Sequence, residues 1–351
     1  MLVETSVRPN FILGEHSIAP GTRKTVNLPV SVLSDHTPVA LSVHVIHGRR
    51  PGPIMFVSAA IHGDEVVGVE IVRRLLRTKN LKTMRGTLLA IPIVNSFGFM
   101  NHSRYLPDRR DLNRSFPGTP TGSLAARLAH IFMQEIVLNS DLGIDLHSAA
   151  IHRRNLPQIR VNAADPKVME LANVFGAPLT LTSKLRPGSL REAAQKHDVD
   201  VLLYEAGEGL RFDEFAARSG VSGILRIMRH LEMLPSKASK ARKTMTIHSN
   251  SSSWLGAPVG GLLRTHKNIG EMIVQGDLLG VVSDPFGEIE TDIIADFEGL
   301  LIGRTHLPIV NEGDGLFHVA RISSSIDAEA KIDALTTVLE EDVLLDEDEI
   351  I

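Results

Sequence analysis

The chain has 351 residues, 43% hydrophobic and 22% charged, with a formal net charge of −4, values of a soluble globular protein long enough for two domains. It has no cysteine, which excludes disulfides, thiolate metal sites, iron–sulfur ligation and a cysteine nucleophile, so a metal would have to be held by histidine and carboxylate. Near-balanced charge and 4% aromatic residues give no nucleic-acid footprint. No run approaches the ~18 apolar residues of a membrane span, and the first residues lack a signal-peptide pattern, so the expected setting is cytoplasmic.

Residues 1–38 read as an extended lead-in. Val39–Ile46 is β-rich, and Ile54–Ile61 (IMFVSAAI) is a continuous apolar run, the mark of a strand covered on both faces. The stretch HGDEVVGVEIVRRLLRT follows, with Val66, Val69, Leu75 and Leu76 at helical spacing. Thr87–Val94 is a second buried strand. Residues 95–118 are polar and loop-like, and a connection of that length is usually functional. A helix is expected over Gly122–Leu138, then strands at Asp141–Leu146 and Pro157–Val161. Helices at 166–174 and 188–197 come next, then a strand at Asp200–Tyr204 and a long amphipathic helix at Phe212–Leu231. This alternation predicts an α/β domain over residues 1–235 with a mostly parallel core sheet. KASKARKTM, residues 237–245, reads as a basic linker. Residues 245–325 carry short β runs between Gly/Pro turns, a small all-β unit. Residues 326–351 form an acidic, amphipathic tail, loose or docked as a helix.

His62-Gly63-Asp64-Glu65 is the sharpest local pattern. It stands where a buried strand ends and a helix begins, the edge at which α/β sheets collect their sites. An imidazole and a carboxylate three positions apart suit a zinc ion, although a turn His beside a Glu favoured by the helix N-terminus explains the same letters. Asp145-Leu146-His147 ends another β run and supplies a second His, with Asp145 in a supporting place. Two His and one carboxylate leave a coordination position open, as catalytic zinc requires. Glu205, in Tyr204-Glu205-Ala206-Gly207, is a fourth strand-end residue and a fitting general base, with Glu208 its near competitor. Arg104 to Gly118 gathers four arginines and Asn113 in one loop, groups suited to carboxylate recognition and oxyanion stabilisation. Taken singly, each has an ordinary structural explanation; their shared position at strand ends joins them.

HGDE, then RY…DLNRSFPG, then DLH, then EAG, in that order over about residues 40–232, resembles the succinylglutamate desuccinylase/aspartoacylase family, relatives of the zinc carboxypeptidases. The resemblance implies one zinc ion per chain on His62, Glu65 and His147, with Glu205 as general base and acid. It also implies a substrate carboxylate on Asn113 and Arg114, and Arg104 polarising the scissile carbonyl, with Arg109 and Arg110 as alternatives for that last role. The fold it implies is a mixed eight-stranded sheet flanked by helices, followed by a smaller all-β, lipoyl/biotinyl-like barrel. The barrel's Asp284–Gly287 turn lacks the lysine of a cofactor carrier. After DLH the chain continues SAAIHRRNLPQIR, unlike the best-known members, and His152, Arg153 and Asn155 are candidate pocket residues.

The function expected is deacylation: hydrolysis of the amide of an N-acyl amino acid or similar small carboxylate-bearing molecule. The alternatives are a metallocarboxypeptidase-like peptidase, an N-acetyl-diaminobutyrate deacetylase and a non-catalytic binding protein on the same fold. The expected partner is the small substrate, with no nucleic acid and no membrane; a homo-oligomer is compatible with the sequence.

Overall fold

The computed structural model describes residues 8–162, 165–236, 246–322 and 328–340. A short hairpin, β1 (Phe11–Leu13) and β2 (His16–Ile18), leads into β3 (Thr22–Val32), β4 (Pro38–His47) and β5 (Arg50–Ala59). Then come α1 (Val67–Arg77), β6 (Arg85–Ile91), α2 (Ser96–Met100), α3 (Leu124–Ile131), β7 (Leu142–His147) and β8 (Arg153–Val161). They are followed by α4 (Pro166–Phe175), β9 (Leu179–Thr182), α5 (Leu190–Gln195), β10 (Asp200–Gly207) and α6 (Glu214–His230). The lead-in is more than extended chain. In β3, Val26, Leu28 and Val30 are buried between exposed neighbours, so alternation lays one face of the strand on the core.

β3 to β10 form an eight-stranded mixed sheet in the order β3-β4-β6-β5-β7-β10-β8-β9. The pairs β6/β5, β5/β7 and β7/β10 are parallel, whereas β10/β8 is antiparallel. Apolar clusters lie on both faces, one with α1, α4 and α6 and the other with α3, α5 and the lead-in. Glu70 binds Arg73 and Arg74, and Arg74 reaches on to Glu214 of α6, tying the two helices together. The helix expected over 122–138 begins on a Ser123 cap and ends in a π turn over Phe132–Ile136 and a 3₁₀ turn over Val137–Asn139.

The C-terminal strands are β11 (Ile247–Ser249), β12 (Ser251–Gly256), β13 (Gly261–Thr265), β14 (Met272–Ile273), β15 (Leu278–Ser283), β16 (Glu290–Ile294), β17 (Gly299–Thr305), β18 (Ile309–Val310) and β19 (Gly315–Arg321). They divide between two sheets. β16-β15-β13-β18 is an open antiparallel sheet, and no pairing among the described residues closes it into a barrel. β12, β19 and β17 extend the main sheet, because β17 pairs with the first half of β8 while β9 pairs with the second half. A shared apolar cluster, including Leu263, Val282, Leu301 and Phe317, lies between the two layers. The basic stretch 237–245 lies outside the described residues. Of the acidic tail, α7 (Ala328–Glu340) is described and docks on α6: Leu335 and Leu339 join its cluster, and Arg218 donates to the Leu339 carbonyl. Among the described residues, no helix is long and apolar enough to cross a membrane.

Candidate active site

Three adjacent parallel strands deliver the central side chains at their carboxyl ends, the customary place for a site in such a sheet. β5 stops at Ala59, Ala60 turns the backbone with a φ of 51°, and His62 follows. At Gly63 a Cβ would lie 2.0 Å from the Gly98 carbonyl carbon and 2.1 Å from the Phe99 nitrogen, so only glycine lets these two turns touch. Glu65 then donates its backbone N–H to the His62 carbonyl at 3.1 Å, just before α1. His147 is the last residue of β7, and Glu205 of β10 stands beside it in register.

His62, Glu65 and His147 are all buried, and their ligating atoms lie within 4.8 Å of one another. Both Nδ1 atoms face Glu65, His62 at 2.7 Å from one carboxylate oxygen and His147 at 2.7 Å from the other. The opposite ring nitrogens are also held: His62 Nε2 by Asp111 at 3.1 Å and His147 Nε2 by Asp145 at 2.7 Å. Asp145 in turn accepts from Ser58 Oγ at 2.8 Å. A carboxylate can only accept, so each Nε2 carries a proton and each Nδ1 is the nitrogen left to serve the centre. Burial works against charge on His147, but Asp145 and Glu65 outweigh it and hold the ring well above its usual range. His62 is raised in the same way by Glu65 and Asp111 against its burial. Glu65 is held below the carboxylate range by the two imidazoles despite complete burial. Two Nδ1 atoms facing an ionised carboxylate are satisfied by protons or by a cation, and the donor set of two imidazoles and one carboxylate fits a divalent ion.

Arg104 joins this floor, 3.3 Å from Glu65 Oε1 and 3.0 Å from Asp111 Oδ2. Asp111 also accepts from the Asn113 backbone at 2.8 Å, so one carboxylate fixes His62, Arg104 and the turn that carries Asn113 and Arg114. Asn113 Oδ1 accepts from the Leu190 backbone at 2.9 Å, joining that turn to α5. Arg110 is exposed and reaches Ser123, and neither it nor Arg109 lines the cavity. Glu205 accepts from Asn155 Nδ2 at 3.1 Å and faces Arg160 Nη1 at 3.1 Å. Glu208 is placed elsewhere: it holds the His152 backbone N–H at 3.1 Å and His306 Nδ1 at 3.0 Å, in a different cavity. His152 lies in that second cavity too, whereas Arg153 and Asn155 line the first.

The cavity above the floor has a volume of about 310 Å³. Its wall carries Arg114, Arg153, Lys184, Arg186 and Arg191, none with a carboxylate at salt-bridge distance among the described residues. Burial, helped by the like charge of Arg160, pulls Arg191 down to about 10. The C-terminal strands add Trp254, stacked on His318 at 4.7 Å with the Arg153 guanidinium 5.0 Å from its ring.

Sequence reasoning did not single out Asp111, Arg160, Arg191, the Lys184–Arg186 loop or Trp254. Arg160 had a local signal, as the charged residue inside the apolar run of β8. Asp111 had the ordinary mark of a turn cap. Trp254 had none, because it comes to the cavity only through pairing of distant strands.

The model of the succinylglutamate desuccinylase/aspartoacylase catalytic domain matches residues 51–231, more than half of the chain. The chain belongs to this family of deacylases. An N-alpha-acetyl-L-2,4-diaminobutyric acid deacetylase of Halomonas elongata is 24% identical over 290 residues, covering 79% of this chain and 85% of the relative. Among solved structures, the product-bound ectoine utilization protein EutE (DoeB) of Ruegeria pomeroyi superposes with a TM-score of 0.77 at 22% identity, covering 91% of this chain and 99% of that one. A succinylglutamate desuccinylase/aspartoacylase of Rhodobacter sphaeroides gives 0.76 at 22% identity, covering 86% and 96%. At these identities the structures establish the shared fold of this deacylase.

Proposed function

We propose that this deacylase is a zinc-dependent amidohydrolase that cleaves an N-acyl amino acid or a related small amide bearing a carboxylate. The observation that carries the reading is the paired bracing of His62 and His147. Each has its Nε2 on a carboxylate and its Nδ1 turned to Glu65. His62, Glu65 and His147 would hold the ion. When bound, it supplies Lewis acidity, polarising a carbonyl and making a water more acidic.

The chain's own residues do the remaining work. Glu205 takes a proton from the attacking water and returns it to the leaving amine. Arg114, with Asn113 beside it on the cavity wall, receives the substrate carboxylate through its planar fork. Arg104 stands beside the floor, placed to stabilise the oxyanion that develops from the carbonyl. Deacetylation of N-acetyl-diaminobutyrate, the activity in the name of the Halomonas relative, is the second reading. The five wall cations, without carboxylate partners among the described residues, weigh against a substrate that presents a free ammonium to this wall.

Metal analysis combined with a panel of N-acetyl, N-succinyl and dipeptide substrates tests the reading. Near-stoichiometric zinc, hydrolysis of an N-acyl amino acid and loss of turnover in Glu205→Gln are the expected results. Less than about a tenth of an equivalent of divalent metal, with no rescue on addition, would overturn it. Turnover that survives Glu205→Gln unchanged would favour a different base, and cleavage confined to dipeptides would favour the carboxypeptidase reading.

A further inference from the structure

The surroundings of Glu205 reach through β8 into the C-terminal strands. Its Oε1 accepts from Asn155, and Asn155 stands on β8 opposite Gly303 of β17. Gly303 pairs on its other side with His318 of β19, and His318 with Trp254 of β12. One row of paired residues therefore runs Trp254, His318, Gly303, Asn155, from the edge of the C-terminal strands to the carboxylate.

Gly303 is the narrow place in that row. A Cβ there would lie 2.6 Å from Asn155 Oδ1, 3.1 Å from the Arg154 carbonyl oxygen and 3.4 Å from His318 Cβ. Its backbone is not in the left-handed region, so what demands glycine is the space that the Asn155 amide occupies. The amide sits against Gly303 and directs its N–H at Glu205. Arg160 takes the other oxygen. A carboxylate with a fixed donor on each oxygen cannot swing, and a general base acts only when its lone pair is aimed at the proton.

We propose that Asn155 is a positioning residue for Glu205, seated by Gly303, so that the C-terminal strands set the aim of the proton-transferring carboxylate. This rests on the reading of Glu205 as general base. It assigns the C-terminal region a part in turnover as well as in shaping the cavity.

The test is a double-mutant cycle on the full-length, zinc-loaded protein, using whichever N-acyl amino acid of the panel is turned over fastest. Asn155→Ala is expected to lower kcat about 10- to 100-fold with KM changed less than about 3-fold, because aim and not binding is lost. Gly303→Ala is expected to lower kcat to a similar degree by displacing the amide. Adding Gly303→Ala to Asn155→Ala should then cost little more, since the space is already vacant, whereas independent effects would multiply. Trp254 is the only tryptophan of the chain and lies in the same row, so its emission reports whether the strands remain paired in each variant. Wild-type kcat in Asn155→Ala overturns the proposal. So does a cycle in which the two losses multiply while the Trp254 emission is unchanged. Glu205→Gln separates the two claims: if it is inactive while Asn155→Ala is normal, only the positioning role fails, and if it is fully active, the base assignment fails.

Discussion

The floor and the wall of the same cavity are built on opposite electrostatic terms. On the floor every charge has a counter-charge: His62 and His147 share Glu65, Asp111 and Asp145 brace them, and Arg104 joins Glu65 to Asp111. On the wall Arg114, Arg153, Lys184, Arg186 and Arg191 have no carboxylate at salt-bridge distance among the described residues. Buried charges that are already paired hold a shape, and cations left unpaired along a cleft wait for an anion. On the proposed function, the difference separates the part of the site that would fix the chemistry from the part that would select the molecule.

Removing a ligand from the floor should have the largest effect. His147→Ala is expected to abolish stoichiometric metal and lower turnover at least about 10³-fold; normal metal content in that variant would dissolve the distinction between floor and wall. Asp145→Asn keeps the ligand but takes the negative charge from the brace on Nε2, and metal affinity should fall about 10- to 100-fold, read by competition with a chelating dye. On the wall, Arg114→Ala should raise KM about 10- to 100-fold and leave metal content unchanged. The same contrast predicts that kcat/KM falls as salt rises from 20 to about 300 mM while metal content does not, because only the wall acts at long range.

The last effect is on stability and not on turnover. Burial, then the charge of Arg160, pushes His318 down to about 3 from its usual 6.5. Between those values the unfolded chain binds a proton that the folded chain refuses. Stability should therefore fall as pH drops through that window, by up to about 1.4 kcal/mol per pH unit. His318→Gln should flatten the acid side of a denaturation profile, and an unchanged slope would show that the ring is not the group responsible.

Much of the architecture was legible because local pattern and final position agree. The apolar run of β5 and the helical spacing of α1 both follow from burial, and the turn between them carries His62 and Glu65. The order of HGDE, DLNR, DLH and EAG was enough to point to the family that the comparisons establish. Other features were not legible for physical reasons. β3 opens on charged Arg23 and Lys24 and holds Pro29, so its alternating Val26, Leu28 and Val30 do not stand out as a strand in the sequence. The division of the C-terminal strands between two sheets depends on which edge β17 chooses, and nothing within β17 encodes its pairing with β8. Trp254 comes to the cavity through that same long-range assembly, and Arg191 comes from α5, where it donates to the Arg160 carbonyl of β8, so no window of sequence could place them there.

The pairing of β17 with β8 also orders events in time. A chain emerging from the ribosome presents β3 to β10 first, and for roughly a hundred residues of further synthesis the leading half of β8 has no neighbour on its outer side. That uncovered edge is an aggregation hazard until β17 arrives. Trp254 reaches the cavity only at that point, so the nascent chain carries His62, Glu65 and His147 well before the cavity above them is complete.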